Sequence, residues 1–287
     1  MKSPQQLPKH RRILVTAVVG VVSLVVLYIV LALVSRPVPE HPFFDYNRPL
    51  ILAHQGGNHL WPDNTMLAFR NAYELGVDVL EMDVHRTSDG HLVVIHDDTV
   101  DRTTDGSGEV KSFTLAQLQE LDAAYNWSHH VDSGEHPYRG RNVRIPTLRE
   151  VFEAFPDIRM NVEIKQQEPP IVEDLGGLID EFDRWDSTLV ASFAAEELVE
   201  FRNRYPHAAT SAGPSEVTTF FVLNTVFLSD IFFNRAEAFQ VPEYSGSLHV
   251  LTRRFVEAAH RQNLDVHAWT INDRETMERL VELGVDG

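Results

Sequence analysis

The stretch VDVLEMDVHRTSDGHLVVIHD, residues 77–97, decides how the rest of the chain is read. Val79–Val84 and Leu92–His96 are apolar runs of strand length. The link through Ser88-Asp89-Gly90 is too short for a crossover helix and carries turn-forming residues, so the two runs make a hairpin. Glu81 and Asp83 stand two apart in the first run. On a strand that spacing sends both carboxylates out on one face.

Outward from the hairpin, strand and helix patterns alternate. Leu50–Ala53 reads as a strand, and Thr65–Leu75 as a helix with Asn64 or Asp63 as its cap and Gly76 as its stop. Residues 97–144 are polar, contain one short helix at Leu115–Leu121, and are too long for an ordinary loop, so they form an insertion. The alternation then resumes, with helices expected at Leu148–Phe155, Ile171–Arg184, Ala195–Arg204, Glu216–Asn234, Thr252–Gln262 and Arg274–Leu283. Strands are expected at Arg159–Ile164, Leu189–Phe193, Ala209–Ser211, Ala238–Val241 and Asp265–Trp269. Such repetition makes a mainly parallel sheet with helices outside it. The expected fold is therefore α/β, a TIM-type (β/α)8 barrel with an insertion after its third strand. Seven barrel strands are counted up to Trp269, with the hairpin strand set aside. Gly284-Val285-Asp286-Gly287 begins an eighth, so either the last strand is truncated or the count is off by one.

In front of the barrel, Ile13 to Val34 is an apolar run of 22 residues, broken only by Thr16, Gly20, Ser23 and Tyr28. As a helix it spans roughly 33 Å, about the hydrocarbon thickness of a bilayer. Lys2, Lys9, Arg11 and Arg12 precede it and only Arg36 follows closely. The positive-inside rule then places residues 1–12 in the cytoplasm, 13–34 across the cell membrane as a single-pass anchor, and the remainder outside. A cleaved signal peptide is the rival. Against it, the run is longer than a signal core and no small-x-small cleavage site follows. Pro37, Pro39 and Pro42 mark residues 35–47 as a stiff linker to a domain at 48–287.

The chain has 287 residues and a net charge of −17, with 42 Asp+Glu against 25 Lys+Arg. Nothing in that balance suits nucleic-acid phosphates, so no nucleic-acid partner is expected. An anionic substrate would have to be met by a local cation. The absence of cysteine excludes disulfides, thiolate metal sites and a cysteine nucleophile.

Local cations have an obvious place to sit. Glu163 and Lys165 repeat the two-residue spacing of Glu81 and Asp83 at the end of another strand. In a parallel barrel the C-terminal strand ends meet at one rim, where active sites lie. Three carboxylates meeting there cannot all stay ionised without a cation, and oxygen-only ligands favour Ca²⁺ or Mg²⁺. His54 ends the first strand and His96 the hairpin, so both can face that ion as acid and base.

These residues, with His54-Gln55-Gly56-Gly57, Pro62-Asp63-Asn64-Thr65, Ala68-Phe69, Thr87-Ser88-Asp89-Gly90, His96-Asp97, Asn161-Val162-Glu163-Ile164-Lys165 and Trp269-Thr270-Ile271-Asn272, resemble the signature of the glycerophosphodiester phosphodiesterases. The resemblance runs from about Leu50 to Gly287. It implies a β/α barrel with an insertion after the His-Asp motif. It also implies catalytic His54 and His96, metal ligands Glu81, Asp83 and Glu163, phosphate-binding Lys165 and an aromatic substrate contact from Trp269. Gln55 stands where the family usually has a phosphate-contacting arginine, and Asp63 replaces the glutamate of the Pro-Glu-Asn-Thr motif. Glutamine at 55 brings no charge, so phosphate binding leans on the metal and Lys165.

The expected activity is metal-dependent hydrolysis of a glycerophosphodiester to an alcohol and glycerol 3-phosphate. Two alternatives remain: a lysophospholipase D acting on lysophospholipids, and a non-catalytic membrane-anchored barrel, which only Gln55 favours. Weaker signals are a His129, His130 and His136 cluster, read as exposed loop histidines rather than a second metal site, and His59 and His85 near the site. The Phe220–Phe233 run is apolar nearly all round. It is either a helix buried against the barrel or an interfacial helix dipping into the bilayer beside a lipid-accepting site.

Overall fold

The computed structural model describes residues 9–129 and 134–287. Lys2, in the basic flank of the apolar helix, and His130 lie outside the described residues.

Helix α1, Lys9–Val34, is an apolar rod with no buried residue. Beyond it, β1 (Leu52–Ala53) leads through a tight turn to α2 (Met66–Leu75), followed by β2 (Val79–Arg86) and β3 (Leu92–Val94). The antiparallel pairing Val84↔Val94 and Arg86↔Leu92 makes β2 and β3 the expected hairpin. Among its described residues the insertion holds a 3-10 turn at Val110–Ser112 and the short α3 (Leu115–Leu118), packed on a small core of Val100, Val110, Leu118 and Ile145. Next come α4 (Leu148–Ala154), β4 (Arg159–Ile164), α5 (Val172–Glu181), β5 (Thr188–Ala191), α6 (Ala195–Arg204), β6 (Ala209–Thr210), α7 (Pro214–Thr225) and β7 (Ala238–Val241). A small hairpin, β8 (Tyr244–Ser245) and β9 (Leu248–His249), precedes α8 (Arg253–Arg261), β10 (Asp265–Ala268) and α9 (Arg274–Leu283).

The sheet is mostly parallel. Strands run in the order β1, β2, β4, β5, β6, all parallel, and β10 pairs parallel with β7. Between these groups single backbone links continue the ladder. Ser211 bridges Ala238, the Asp286 amide donates to the Val266 carbonyl at 2.9 Å, and the Leu50 amide donates to the Asp286 carbonyl at 2.8 Å. The segment at 285–287 thus lies between β10 and the residues before β1, the position expected for an eighth strand.

Several elements differ from their sequence reading. The cap of α2 is Thr65, whose hydroxyl accepts from the Ala68 amide, and not Asn64 or Asp63, both of which are used elsewhere. Gly76 does end that helix, in a left-handed conformation (φ 80°) that glycine adopts without strain. The helix expected at Glu216–Asn234 stops at Thr225, and only a single 3-10 turn at Ser229–Ile231 follows. The prolines at 37–42 do not hold a free stalk. Val38 is buried, its amide donating to the Gln262 carbonyl at 2.9 Å, and a 3-10 turn at Pro42–Phe44 packs fully buried Phe43 against Val79, Leu189, Ala209 and Ala238. Those four begin their strands or stand one residue in. Phe43 therefore plugs the N-terminal end of the sheet.

Candidate active site

Register places the site. Glu81 lies opposite Asn161 and Asp83 opposite Glu163 across the parallel β2–β4 pair, so all four side chains share one face. Carboxylate oxygens of Glu81, Asp83 and Glu163 lie within 4.8 Å of one another. Asp83 and Glu81 are buried. Lys165 binds Glu163 Oε1 at 2.9 Å and Asp83 Oδ1 at 3.2 Å through its Nζ.

The turn after β1 supplies the remaining donors. Gln55 sits at φ 53° and Gly56 at φ 75°, and a Cβ at Gly56 would lie 2.8 Å from the Ala68 Cβ. Only glycine fits there, and the tight turn aims the Gln55 amide at Glu81 Oε2, 2.6 Å away. The Gln55 side chain is buried and donates from Nε2 to Asp83 Oδ2 at 3.1 Å, while its Oε1 accepts from Asn58 at 2.9 Å. Asn64 donates from Nδ2 to the same Asp83 oxygen at 2.9 Å and accepts from the Asp83 amide at 3.3 Å. Asp83 is therefore the hub of the site, with three side-chain donors on it.

Electrostatics follow from this crowding. Burial, and then Asp83 alongside, pushes Glu81 well above the usual carboxylate range. Burial also raises Glu163, against the pull of Lys165. For Lys165 burial is the largest influence and favours the neutral amine, but Asp83 and Glu163 together outweigh it, so the amine is held above its ordinary value. Burial lowers His54, against the smaller opposing influence of Asp83.

His96 is backed differently. Its Nδ1 lies 2.7 Å from Asp97 Oδ1, and Arg102 donates from Nε to Asp97 Oδ2 at 2.6 Å and from Nη2 to Asp63 Oδ2 at 3.0 Å. Burial would raise Asp97, but the bonds from Arg102 and His96 more than offset it and hold the carboxyl below its usual value. Asp63 thus ties its loop to the insertion through Arg102, the bracing role open to an acid of either length. Buried His85 reaches the His96 carbonyl at 3.3 Å through Nε2. Trp269, 40% exposed, packs edge-on against Phe193 with ring centroids 5.9 Å apart, and Phe193 lies 5.7 Å from Lys165 Nζ.

The eight residues expected to form the site thus fall on one rim. Glu81, Asp83, Glu163, Lys165 and Gln55 form one bonded network; His54 sits beside it, His96 on the insertion side, and Trp269 on the aromatic side. Asn58, Asn64, Asp97, Arg102 and Phe193 were not singled out for the site, although Asn64 and Asp97 stand inside quoted motifs. His129 and His136 both pack on Trp127, through its ring and its carbonyl respectively, and among the described residues the only candidate metal group is Glu81, Asp83 and Glu163. The chemistry of that group suits a hard divalent ion. Its donors are all oxygens, and three carboxylates against one lysine leave a negative balance in a buried place. Asn161 Oδ1, on the same face, is buried with no hydrogen-bond partner among the described residues.

Comparison with known proteins identifies the family. The sequence profile of the glycerophosphoryl diester phosphodiesterase family matches residues 54–287. A glycerophosphodiester phosphodiesterase of Caldanaerobacter subterraneus subsp. tengcongensis is 36% identical over 249 residues, 84% of this chain and 93% of its own. Among solved structures, the glycerophosphoryl diester phosphodiesterase domain of a Mycobacterium tuberculosis protein superposes with a TM-score of 0.72 at 23% identity, covering 84% of this chain and 95% of that one. An Oleispira antarctica phosphodiesterase in complex with the product sn-glycerol-3-phosphate has a TM-score of 0.64 at 25% identity, covering 83% and 91%. The chain belongs to the glycerophosphoryl diester phosphodiesterase family, whose fold is a TIM-type barrel, and is a phosphoric diester hydrolase.

Proposed function

We propose that this protein hydrolyses glycerophosphodiesters to an alcohol and glycerol 3-phosphate, with a divalent cation, Ca²⁺ or Mg²⁺, held by Glu81, Asp83 and Glu163. The observation that carries this reading is the convergence of three carboxylates with Lys165, Gln55 and two strand-end histidines at one rim. The product complex of the Oleispira antarctica relative supports the choice of substrate. Backbone links at Ser211, Asp286 and Leu50 support closure of the strands into an eight-membered barrel with residues 97–144 inserted beside the site.

When bound, the cation would polarise phosphoryl oxygens and lower the pKa of a hydroxyl. The protein's own groups do the rest. Lys165 and the side-chain Nε2 of Gln55 offer donors to the phosphate, and the Phe193–Trp269 pair offers an apolar wall to the leaving alcohol or the glycerol. His54, kept neutral by burial, takes the proton of the attacking hydroxyl. His96, whose Nδ1 donates to Asp97, gives a proton from Nε2 to the departing alkoxide.

Hydrolysis of a water-soluble glycerophosphodiester, assayed with excess chelator and then with Ca²⁺ or Mg²⁺ restored, tests this directly. Loss and recovery are expected, along with inactivity of folded Glu81→Ala, Asp83→Ala and Glu163→Ala variants. Full activity in chelator would sink the metal assignment. The exposed pair Phe193 and Trp269 is the one observation favouring a lysophospholipid as substrate, and a panel of glycerophosphodiesters against lysophospholipids separates the two.

The exposed, apolar α1 supports an uncleaved single-pass anchor, with Lys9, Arg11 and Arg12 on the cytoplasmic side and the catalytic domain outside. Protease added to intact cells should then digest the domain. Its protection would reverse the orientation.

A further inference from the structure

Helix α1 does not hang free of the domain. Its last turns carry Tyr28, Leu31, Ala32 and Ser35 along one side, and these are its less exposed residues. Tyr28 donates from its hydroxyl to Asp230 Oδ2 at 3.2 Å, and Ser35 from its hydroxyl to the Phe232 carbonyl at 2.6 Å. Just beyond, the Val38 amide donates to the Gln262 carbonyl at 2.9 Å, and Asn263 Nδ2 donates to the Val38 carbonyl at 2.8 Å. All of these contacts fall on two connections, 226–237 between α7 and β7 and 262–264 between α8 and β10.

Both connections run from a helix into a strand. In a parallel sheet, helix-to-strand connections lie at the N-terminal edge of the strands and strand-to-helix connections at the C-terminal edge. The groups of the candidate site, from His54 to Trp269, belong to the C-terminal edge. The anchor is therefore fastened to the face opposite the site, the same face that Phe43 plugs.

Depth along the anchor can be read from the contacts. Tyr28 precedes Val34, the last residue of the apolar run, by six positions, about 9 Å of helix. The turn at Ser229–Ile231 touches the anchor at that level. On either side of it Phe227 is 74% exposed, Val226 54% and Phe233 59%. Phe227 holds a left-handed backbone (φ 63°) that a bulky residue seldom adopts, with the Arg254 guanidinium 4.6 Å over its ring. Side chains that reach 5–10 Å into the acyl boundary, with cations at headgroup level, are how a protein surface rests in a bilayer. Arg254 and Arg36 supply such cations in a chain that is otherwise strongly acidic.

We propose that the floor of the barrel rests in the leaflet that α1 enters, with Val226, Phe227 and Phe233 among the acyl chains, and that the catalytic rim faces the water. This rests on reading α1 as an uncleaved anchor. The substrate then arrives from solution as a deacylated, water-soluble glycerophosphodiester, and a lysophospholipid lying in the same leaflet does not reach the site.

The chain contains no cysteine, so single cysteines can carry a probe without background. Full-length Phe227→Cys, Phe233→Cys and Leu60→Cys, the last an exposed position between β1 and α2, are labelled with an environment-sensitive fluorophore. They are reconstituted into vesicles of phosphatidylcholine and phosphatidylglycerol containing lipid brominated on its acyl chains. The probes at 227 and 233 should lose most of their fluorescence and shift to the blue, and the probe at 60 should do neither. Quenching at 60 would overturn the orientation, and no quenching at 227 or 233 would overturn the apolar contact. Release of the protein by alkaline carbonate would overturn the proposal together with the anchor. Failure of the catalytic assignment would register separately, as absent hydrolysis with quenching intact.

Discussion

Asp97→Asn is the sharpest perturbation the site offers, because the two neighbours of this carboxylate dictate how an amide must sit. Arg102 donates to Oδ2 at 2.6 Å and requires an oxygen there. The amide nitrogen then takes the place of Oδ1 and faces His96 Nδ1 across 2.7 Å, donor against donor for any imidazolium. A charge-assisted hydrogen bond contributes about 1.5–3 kcal/mol. The side chains of His96 and Asp97 are 39% and 28% exposed, so solvent screening argues for the lower bound. That is about 1.5 kcal/mol, roughly tenfold in rate. The partly exposed donor left without an acceptor adds about 1 kcal/mol more, the lower bound of that penalty. Together kcat should fall about 10²-fold, the low end of what a general acid contributes. The assay is kcat and KM on a soluble glycerophosphodiester at saturating divalent cation, with thermal unfolding as the control for folding. A second variant tests the reasoning itself. Removing the constraint with Arg102→Leu in the Asp97→Asn background lets the amide turn its oxygen to His96, and part of the lost kcat should return. A double variant as slow as the single one, or an Asp97→Asn enzyme altered only in KM, would refute the argument.

Three further outcomes follow from the geometry. His54 must be neutral to accept a proton, and burial lowers its pKa, so kcat/KM should rise with pH through a midpoint below the ordinary histidine value of 6.5; a midpoint above it contradicts the assignment. Gln55→Arg should lower KM for the phosphodiester by about tenfold through a charge-assisted contact, unless the new guanidinium binds Asp83 instead, in which case a higher cation concentration for half-maximal activity will reveal it. Glu237, remote from the site, is pushed by burial up to about 7 from an ordinary 4.5. An acid with a raised folded-state pKa holds its proton more tightly when folded, so its contribution worsens as pH rises from 4.5 to about 7 and stays unfavourable above. Glu237→Gln should therefore raise stability by about 1–3 kcal/mol near pH 8 and by little near pH 4.5, read by urea unfolding.

What was legible in the sequence was what periodicity carries. Two-residue alternation in β2, and in β4 with the residue that follows it, puts Glu81 with Asp83 and Glu163 with Lys165 on one face, because that spacing survives folding unchanged. Gly76 announced the end of α2 for a similarly local reason. The contacts of Asn64 with Asp83 and of Arg102 with Asp63 span 19 and 39 residues, and nothing periodic marks them. Asn64 and Asp63 both suit a helix cap by residue type, but Thr65 does the capping and frees Asn64 to reach Asp83. The end of α7 is not legible because ten of the fourteen residues of Phe220–Phe233 are apolar and continue past it. The chain leaves the helix at Val226 and Phe227 with no glycine or proline to signal it, and tertiary packing of Phe220 and Phe232 decides the break.

One property of the fold connects the two ends of the molecule. A parallel strand has a direction, so a sheet of them has two chemically different edges. At the C-terminal edge, consecutive strand ends bring acids, lysine and histidines together, since each strand delivers its last inward residues to the same level. At the N-terminal edge, the same strands begin with Val79, Ala209 and Ala238, small or branched apolar residues that close on Phe43. The N-terminal segment reaches β1 from that second edge, because β1 must start there. Its helix therefore meets the connections at 226–237 and 262–264, and not the rim. The separation of α1 from the rim follows from strand polarity, because a segment that leads into the first strand of a parallel barrel meets the edge where that strand begins.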